Sequence, residues 1–310
     1  MYRFLKRRKL LRLIFIPVAV ILGLLLVSGG TELVLRLFGW WSLREGRIDY
    51  KNITAADMVI LCVGDSHTEG VGAPAGYDYP RQLAARLRES HRRTRFAVVN
   101  LGHAGFNSSQ AANRVVDFIA HMPRRPTVII FNAGKNNDHD FSDARILPEE
   151  ARGMNRIDQF KYLLANSRAF RLGQITVSRL KDQVFFGAPL RDSAWNKVLD
   201  VYGGPEQELL RQWIQRDLDY LWKKTADRNI PLVLLNYWHK VPTVDEVFAK
   251  NGRRPRMYFL NIIDFASRLF RYKPTRALVS ADYHPNQYGY AIIARLVEKA
   301  LADNRLIPPE

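Results

Sequence analysis

Four short stretches of this chain carry the residue types needed for nucleophilic attack on a carbonyl. They are Gly64-Asp65-Ser66-His67-Thr68-Glu69-Gly70, Asn100-Leu101-Gly102-His103-Ala104-Gly105, Gly134-Lys135-Asn136-Asn137-Asp138 and Asp282-Tyr283-His284-Pro285-Asn286. Ser66 is the candidate nucleophile. A serine hydroxyl is weak until a base takes its proton, and a strand-to-helix turn would expose the oxygen and aim backbone N–H groups at the same spot. Gly-Asp-Ser alone reads equally well as a helix cap. His284 is the candidate base, and Asp282, two residues earlier, could accept the other ring N–H and fix the tautomer; a His-Pro pair alone reads as a turn. Gly105 and Asn136 are candidate donors to an oxyanion, against the simpler readings of loop geometry and a polar turn. Of the seven histidines, none falls in a spacing such as His-Glu-x-x-His, so no metal site is expected.

The elements that must position these residues alternate in type. Met58 to Val63 is an apolar run stopped by Gly64, and further strands are predicted at Phe96–Val99, Thr127–Phe131, Leu232–Leu235 and near Tyr258–Ile263. Helical periodicity marks Tyr79–Arg88, Ser109–His121, Glu206–Asp227 and Tyr290–Leu301. Repeated β-then-α units argue for an α/β domain, a parallel sheet with helices on both faces. The first three blocks then follow strands and gather at the sheet edge where an open α/β fold places its site. The stretch 140–204 has no sustained period. It reads as an insert of short helices, either a lid or substrate wall or a peripheral elaboration.

The 310 residues include 47 Lys and Arg against 30 Asp and Glu, a formal charge of +17, and six of the basic residues lie within the first twelve. Behind that basic head, Leu13 to Val27 is apolar apart from Pro17 and Gly23, and the hydrophobic character extends to Phe38. This is the positive-inside pattern, with the head in the cytoplasm and the remainder exported. An uncleaved single-span anchor over 13–38 and a cleaved signal peptide both fit. In the first reading Glu32 and Arg36 sit at the far interface and Trp40 and Trp41 in its aromatic belt. The organisation is a head at 1–12, the anchor at 13–38, a polar tether at 39–56, and one domain at 57–310 carrying the insert. The basic excess of the exported part lacks a nucleic-acid-binding motif, so no nucleic acid is expected. It suits an anionic membrane surface or acidic polysaccharide, or simply solubility. Cys62, the only cysteine, excludes an intrachain disulfide and reads as core packing.

The four blocks resemble those of the SGNH, or GDSL-type, hydrolases. The likeness covers residues 57 to about 138 and about 258 to 300 and extends to the spacers: Tyr79-Pro80-x-x-Leu83, Val98-Val99-Asn100 and Gly289-Tyr290. It implies a flavodoxin-like three-layer α/β/α sandwich and ester hydrolysis through an acyl-serine, without a cofactor. By position, Ser66 matches the nucleophile, the Ser66 N–H, Gly105 and Asn136 the oxyanion donors, and His284 the base. Two departures stand out. The usual Asp-x-x-His is absent, since Ala281 lies three before His284 and the acid is Asp282. Block three usually reads Gly-x-Asn-Asp, and here Asn137 takes the last position.

These observations lead to an expectation of a membrane-tethered bacterial-type envelope hydrolase acting on an acyl ester, with carbohydrate O-acyl groups a candidate substrate. An O-acyltransferase using the same residues, and a non-catalytic anchored binding protein, remain open alternatives. Acyl length, alcohol and oligomeric state are not encoded in these motifs.

Overall fold

The computed structural model describes residues 2–44, 50–122, 124–138, 205–271, 277–280 and 283–309, with short pieces between 156 and 173. Most of the insert predicted at 140–204 lies outside the described residues. The chain divides into two compact units: Met1–Arg47 with Pro148–Lys197, and Ile48–Leu147 with Val198–Glu310.

The first unit is dominated by α1 (Tyr2–Arg44), continuous through Pro17. Its segment Phe15–Phe38, 24 residues with mean hydropathy 2.2, is long and apolar enough to cross a membrane, and its side chains are unburied. Glu32 pairs with Arg36 one turn on at 2.6 Å, and its carboxylate also accepts from the Ser167 hydroxyl and the Ala169 N–H.

The second unit opens with α2 (Tyr50–Ala55), which buries Ile53, and continues into the sheet. Its strands are β1 (Met58–Gly64), β2 (Phe96–Asn100), β3 (Val128–Asn132), β4 (Leu232–Leu235) and β5 (Met257–Leu260). All pair in parallel, in the order β2-β1-β3-β4-β5, the flavodoxin-like order with its switch point between β1 and β3. The helices are α3 (Ser66–Glu69), α4 (Tyr79–Ser90), α5 (Ser108–His121), α6 (Pro205–Ala226), α7 (Pro242–Asn251), α8 (Ile263–Phe270) and α9 (Gln287–Asp303).

Alternation along each strand builds two cores. Leu61 and Val63 of β1, Ile129 and Phe131 of β3 and Leu232 and Leu234 of β4 face one layer of helices, α5, α6 and α7, through Val115, Ile214, Leu218 and Phe248. Ile60 and Cys62, Val128 and Ile130, and Val233 and Leu235 face the other, where Leu83 and Leu87 of α4 meet Ile293, Val297 and Leu301 of α9. Both faces of the central strands are covered, which is why β1, β3 and β4 read as unbroken apolar runs. The expected three-layer α/β/α sandwich is the observed architecture. The fifth strand is shorter than predicted, ending at Leu260, because Ile263 starts α8. Helix α7, which returns the chain from β4 to β5, was not anticipated: its apolar positions Val244, Val247 and Phe248 are too few to stand out as a periodic run.

Candidate active site

The nucleophile candidate sits on a turn the sequence makes tight. β1 ends at Gly64, where a Cβ would collide with the Asn132 carbonyl and the Thr68 hydroxyl. Asp65 then caps α3, its carboxylate accepting from the His67 N–H at 3.0 Å. Gly70, at φ 105°, ends this helix after one turn, its N–H donating to the Ser66 carbonyl. Ser66 is left half-buried at the carboxyl edge of the sheet.

The histidine arrives from the far end of the chain. Asn286 caps α9, accepting from the Tyr288 and Gly289 N–H groups, so His284 lies two residues before the cap. Its carbonyl accepts from both the N–H and the hydroxyl of Ser280, at 2.8 and 2.9 Å. The loop after α3 packs directly on this segment: Tyr290 donates to the Val71 carbonyl at 2.8 Å. Next to Val71 is Gly72 (φ +95°), where a Cβ would come within 2.8 Å of the His284 Cβ, the Pro285 carbonyl and the Ser280 hydroxyl. The outcome is a separation of 2.8 Å between Ser66 Oγ and His284 Nε2, across 218 residues of sequence. With the ring proton on Nδ1, Nε2 accepts from the serine hydroxyl. Asp282 lies outside the described residues.

The other two blocks converge beside this pair. The His103 N–H donates to the Gly64 carbonyl at 3.0 Å, and Asn100 Nδ2 donates to the Thr68 carbonyl at 2.9 Å, so block two is pinned to β1 and α3. Gly105 is exposed with φ 82°. Asn136 Nδ2 donates to the Phe106 carbonyl at 3.0 Å, which brings block three against the residue that follows Gly105. Its neighbour points elsewhere: Asn137 is buried, accepting from the Ser108 N–H at 2.8 Å and donating to the Ser108 hydroxyl at 2.7 Å. Ser108 and Ser109 in turn donate to the buried carboxylate of Asp217, whose pKa burial pushes up. The two asparagines therefore serve different surroundings, one at the site's edge and one in an interior network.

Two residues that sequence reasoning passed over stand in the site, both in the Tyr237-Trp238-His239 run after β4. Tyr237 donates to Asp65 Oδ2 at 2.6 Å and accepts from the Lys135 N–H at 3.1 Å, bridging block one to block three. His239 completes a cluster of imidazoles: the His67 ring centroid is 4.9 Å from that of His284 and 5.9 Å from that of His239. The signal available in the sequence was position, since this run follows the fourth apolar strand as the other blocks follow theirs. His67 is a wall of the site, buried against the edge of Tyr237 at 5.0 Å. Burial pushes its pKa down. Burial, with help from Lys135, takes His239 down to about 3, so both imidazoles are neutral near pH 7. Among the described residues no group of His, Cys, Asp and Glu is arranged to hold a metal ion.

The family model for GDSL-like lipases and acylhydrolases matches residues 62–292, more than half of the chain and spanning all four blocks. No curated relative matches. Similar solved structures include TesA, 15% identical over 81% of this chain and 100% of its own, with a TM-score of 0.48. They also include LAE5, an α/β hydrolase from the metagenome of Lake Arreo, Spain, 17% identical over 80% of this chain and 96% of its own, TM-score 0.49. The psychrotrophic esterase EstA from a Pseudoalteromonas species, in a structure inhibited by monoethylphosphonate, is 13% identical over 80% and 99%, TM-score 0.46. The family model matches more than half of the chain, and the fold and the four blocks agree with it: this chain belongs to the GDSL-like lipase/acylhydrolase family.

Proposed function

We propose that this esterase-type hydrolase cleaves acyl esters through an acyl-serine at Ser66, with His284 as general base. The observation that carries the reading is the 2.8 Å separation of Ser66 Oγ and His284 Nε2, within the range for direct proton transfer. His284 Nε2 takes the hydroxyl proton as Oγ bonds to the substrate carbonyl carbon. The negative oxygen that results is held by the Ser66 and Gly105 N–H groups and the Asn136 amide. As the intermediate collapses, His284 returns its proton to the departing alkoxide. A water then attacks the acyl-serine with His284 again as base, releasing the carboxylate and restoring the hydroxyl. Asp282 is assigned the task of orienting the imidazole.

The apolar segment Phe15–Phe38 behind a basic head supports a single-pass anchor in the cytoplasmic membrane of a bacterial-type cell, with the catalytic domain on the exported side. The substrate class that suits this placement is an O-acyl group on envelope or extracellular carbohydrate. The test pairs two assays on the full chain. Ser66→Ala should abolish turnover of a short-chain aryl ester while leaving the melting temperature in place, and acetate release from an O-acetylated saccharide should fall with it. Full turnover in Ser66→Ala would remove the acyl-serine. Acyl transfer to added saccharide in preference to water would reassign the enzyme as a transferase.

A further inference from the structure

Arginine gathers where the strands of the sheet domain begin. At the edge where the strands begin, the connection into β2 holds Arg92, Arg93 and Arg95, and that into β3 holds Arg124 and Arg125. Arg228 precedes β4, Arg253, Arg254 and Arg256 precede β5, and Arg305 follows α9 at the same edge. None of these connections contains a lysine. Arg95 is matched by Asp57 and Arg254 by Asp219. Arg92, Arg93, Arg125, Arg253 and Arg305 are exposed and make no ion pair among the described residues. At the opposite edge, which carries the site, the connections after β1, β2 and β4 contain no arginine, those after β3 and α8 do, and Asp78 pairs with Arg81 at 3.0 Å. Helix dipoles favour cations in the last turn of each helix, but these arginines lie beyond the helix ends, in the connections themselves.

From this cluster of exposed arginines we infer that the strand-start edge is a docking face for anionic phospholipid, which leaves the site edge directed away from the bilayer. Guanidinium groups pair with phosphate oxygens two at a time, a geometry lysine cannot supply. The chain that carries the apolar segment Phe15–Phe38 enters the domain at this edge, through α2 into β1, and Arg124 donates to the carbonyls of Thr54 and Asp57 at 3.4 and 3.3 Å. The same edge holds an open apolar hollow of 530 Å³ where Met58, Leu306, Ile307 and Pro308 meet beside Arg305. Fixed positive charge around an apolar recess suits the headgroup-to-acyl boundary of a bilayer. The inference builds on the anchor reading above and is independent of the esterase chemistry.

The test uses the full chain in nanodiscs of phosphatidylcholine, with or without phosphatidylglycerol, at low salt. Nitroxide labels are placed at Asn304→Cys on the basic edge and Ala75→Cys on the opposite one, both exposed, while the native Cys62 is buried. On anionic discs, relaxation by a nickel chelate on the lipid headgroups should be roughly tenfold stronger at position 304 than at 75. That contrast should vanish in Arg92→Glu/Arg93→Glu/Arg253→Glu, and in the parent protein at about 0.5 M salt, where surface charge is screened. The triple variant should retain soluble-ester turnover, and the salt arm decides the matter if it does not fold. An equal contrast on neutral discs, no contrast on either, or displacement of the contrast by a DNA duplex at lower charge concentration than the lipid would each overturn the proposal. Failure of the anchor reading is seen separately, as a chain that does not co-float with the discs.

Discussion

The Tyr237 hydroxyl donates to the carboxylate of Asp65, the residue just before Ser66, at 2.6 Å, while accepting the backbone N–H of Lys135, the residue just before Asn136. One phenol thus fixes the spacing between the turn that carries Ser66 and the turn that carries Asn136. Tyr237→Phe keeps the ring packing and removes both bonds. A hydrogen bond to a charged group is worth about 1.5–3 kcal/mol, so kcat should fall on the order of tenfold to a hundredfold with KM little changed. Steady-state kinetics on an aryl ester check this, and a kcat within twofold of the parent's would dissociate Tyr237 from the site.

Two glycines separate the effect of backbone strain from that of crowding. Gly72 and Gly76 both have positive φ, 95° and 93°, but a Cβ at Gly76 meets nothing within 4 Å, whereas one at Gly72 meets the His284 segment. Gly76→Ala should cost about 1–2 kcal/mol of stability, the strain of the left-handed region for an L-residue, and keep its activity. Gly72→Ala should carry a similar strain and also lose most turnover, because His284 must move. Equal activity in the two variants, normalised to folded protein, would contradict the contact.

The paired asparagines should fail in different ways. Asn136→Ala is expected to lower kcat roughly 10²–10³-fold, the usual loss for one oxyanion donor, with an unchanged melting temperature. Asn137→Ala should do the reverse: the buried Ser108 N–H loses its acceptor and the Ser108 hydroxyl, still bonded to Asp217, loses a donor, at about 1–3 kcal/mol of stability. Urea denaturation alongside kinetics distinguishes the outcomes.

Acid should destabilise the domain earlier than its carboxylates alone would cause. His67 and His239 have pKa values depressed by burial, His239 to about 3 from an ordinary 6.5. The unfolded chain therefore binds protons that the folded one refuses. Their contribution to stability is complete above pH 6.5 and is lost as pH falls from there towards the folded value. His239→Gln should flatten the dependence between pH 6 and 4 in a denaturant titration; an unchanged slope would show that His239 titrates normally in the fold.

Much of this architecture is legible in the sequence, for reasons that differ by element. β1, β3 and β4 are buried on both faces, so they appear as continuous apolar runs ending in Gly64, Asn132 and Leu235, and the blocks that follow must share one edge. Helix α6 shows through its long apolar stripe, with Ile214, Leu218 and Leu221 in the core. Helix α7 and the role of Tyr237 do not show. The first is short, and the second depends on a contact 172 residues away in sequence, which no local pattern encodes. The choice between Asn136 and Asn137 rests in the sequence on spacing alone. In the structure the two differ in their hydrogen-bond partners, Phe106 for Asn136 and Ser108 for Asn137.

The central claim, that His284 activates Ser66 for covalent attack, is tested most directly by labelling the full chain with an alkyl fluorophosphonate and mapping the adduct by mass spectrometry. One adduct per chain on Ser66, formed in step with loss of esterase activity and absent in a folded His284→Ala variant, is the predicted result. An active enzyme that takes no label, takes it on another residue, or labels equally fast without His284 would contradict it.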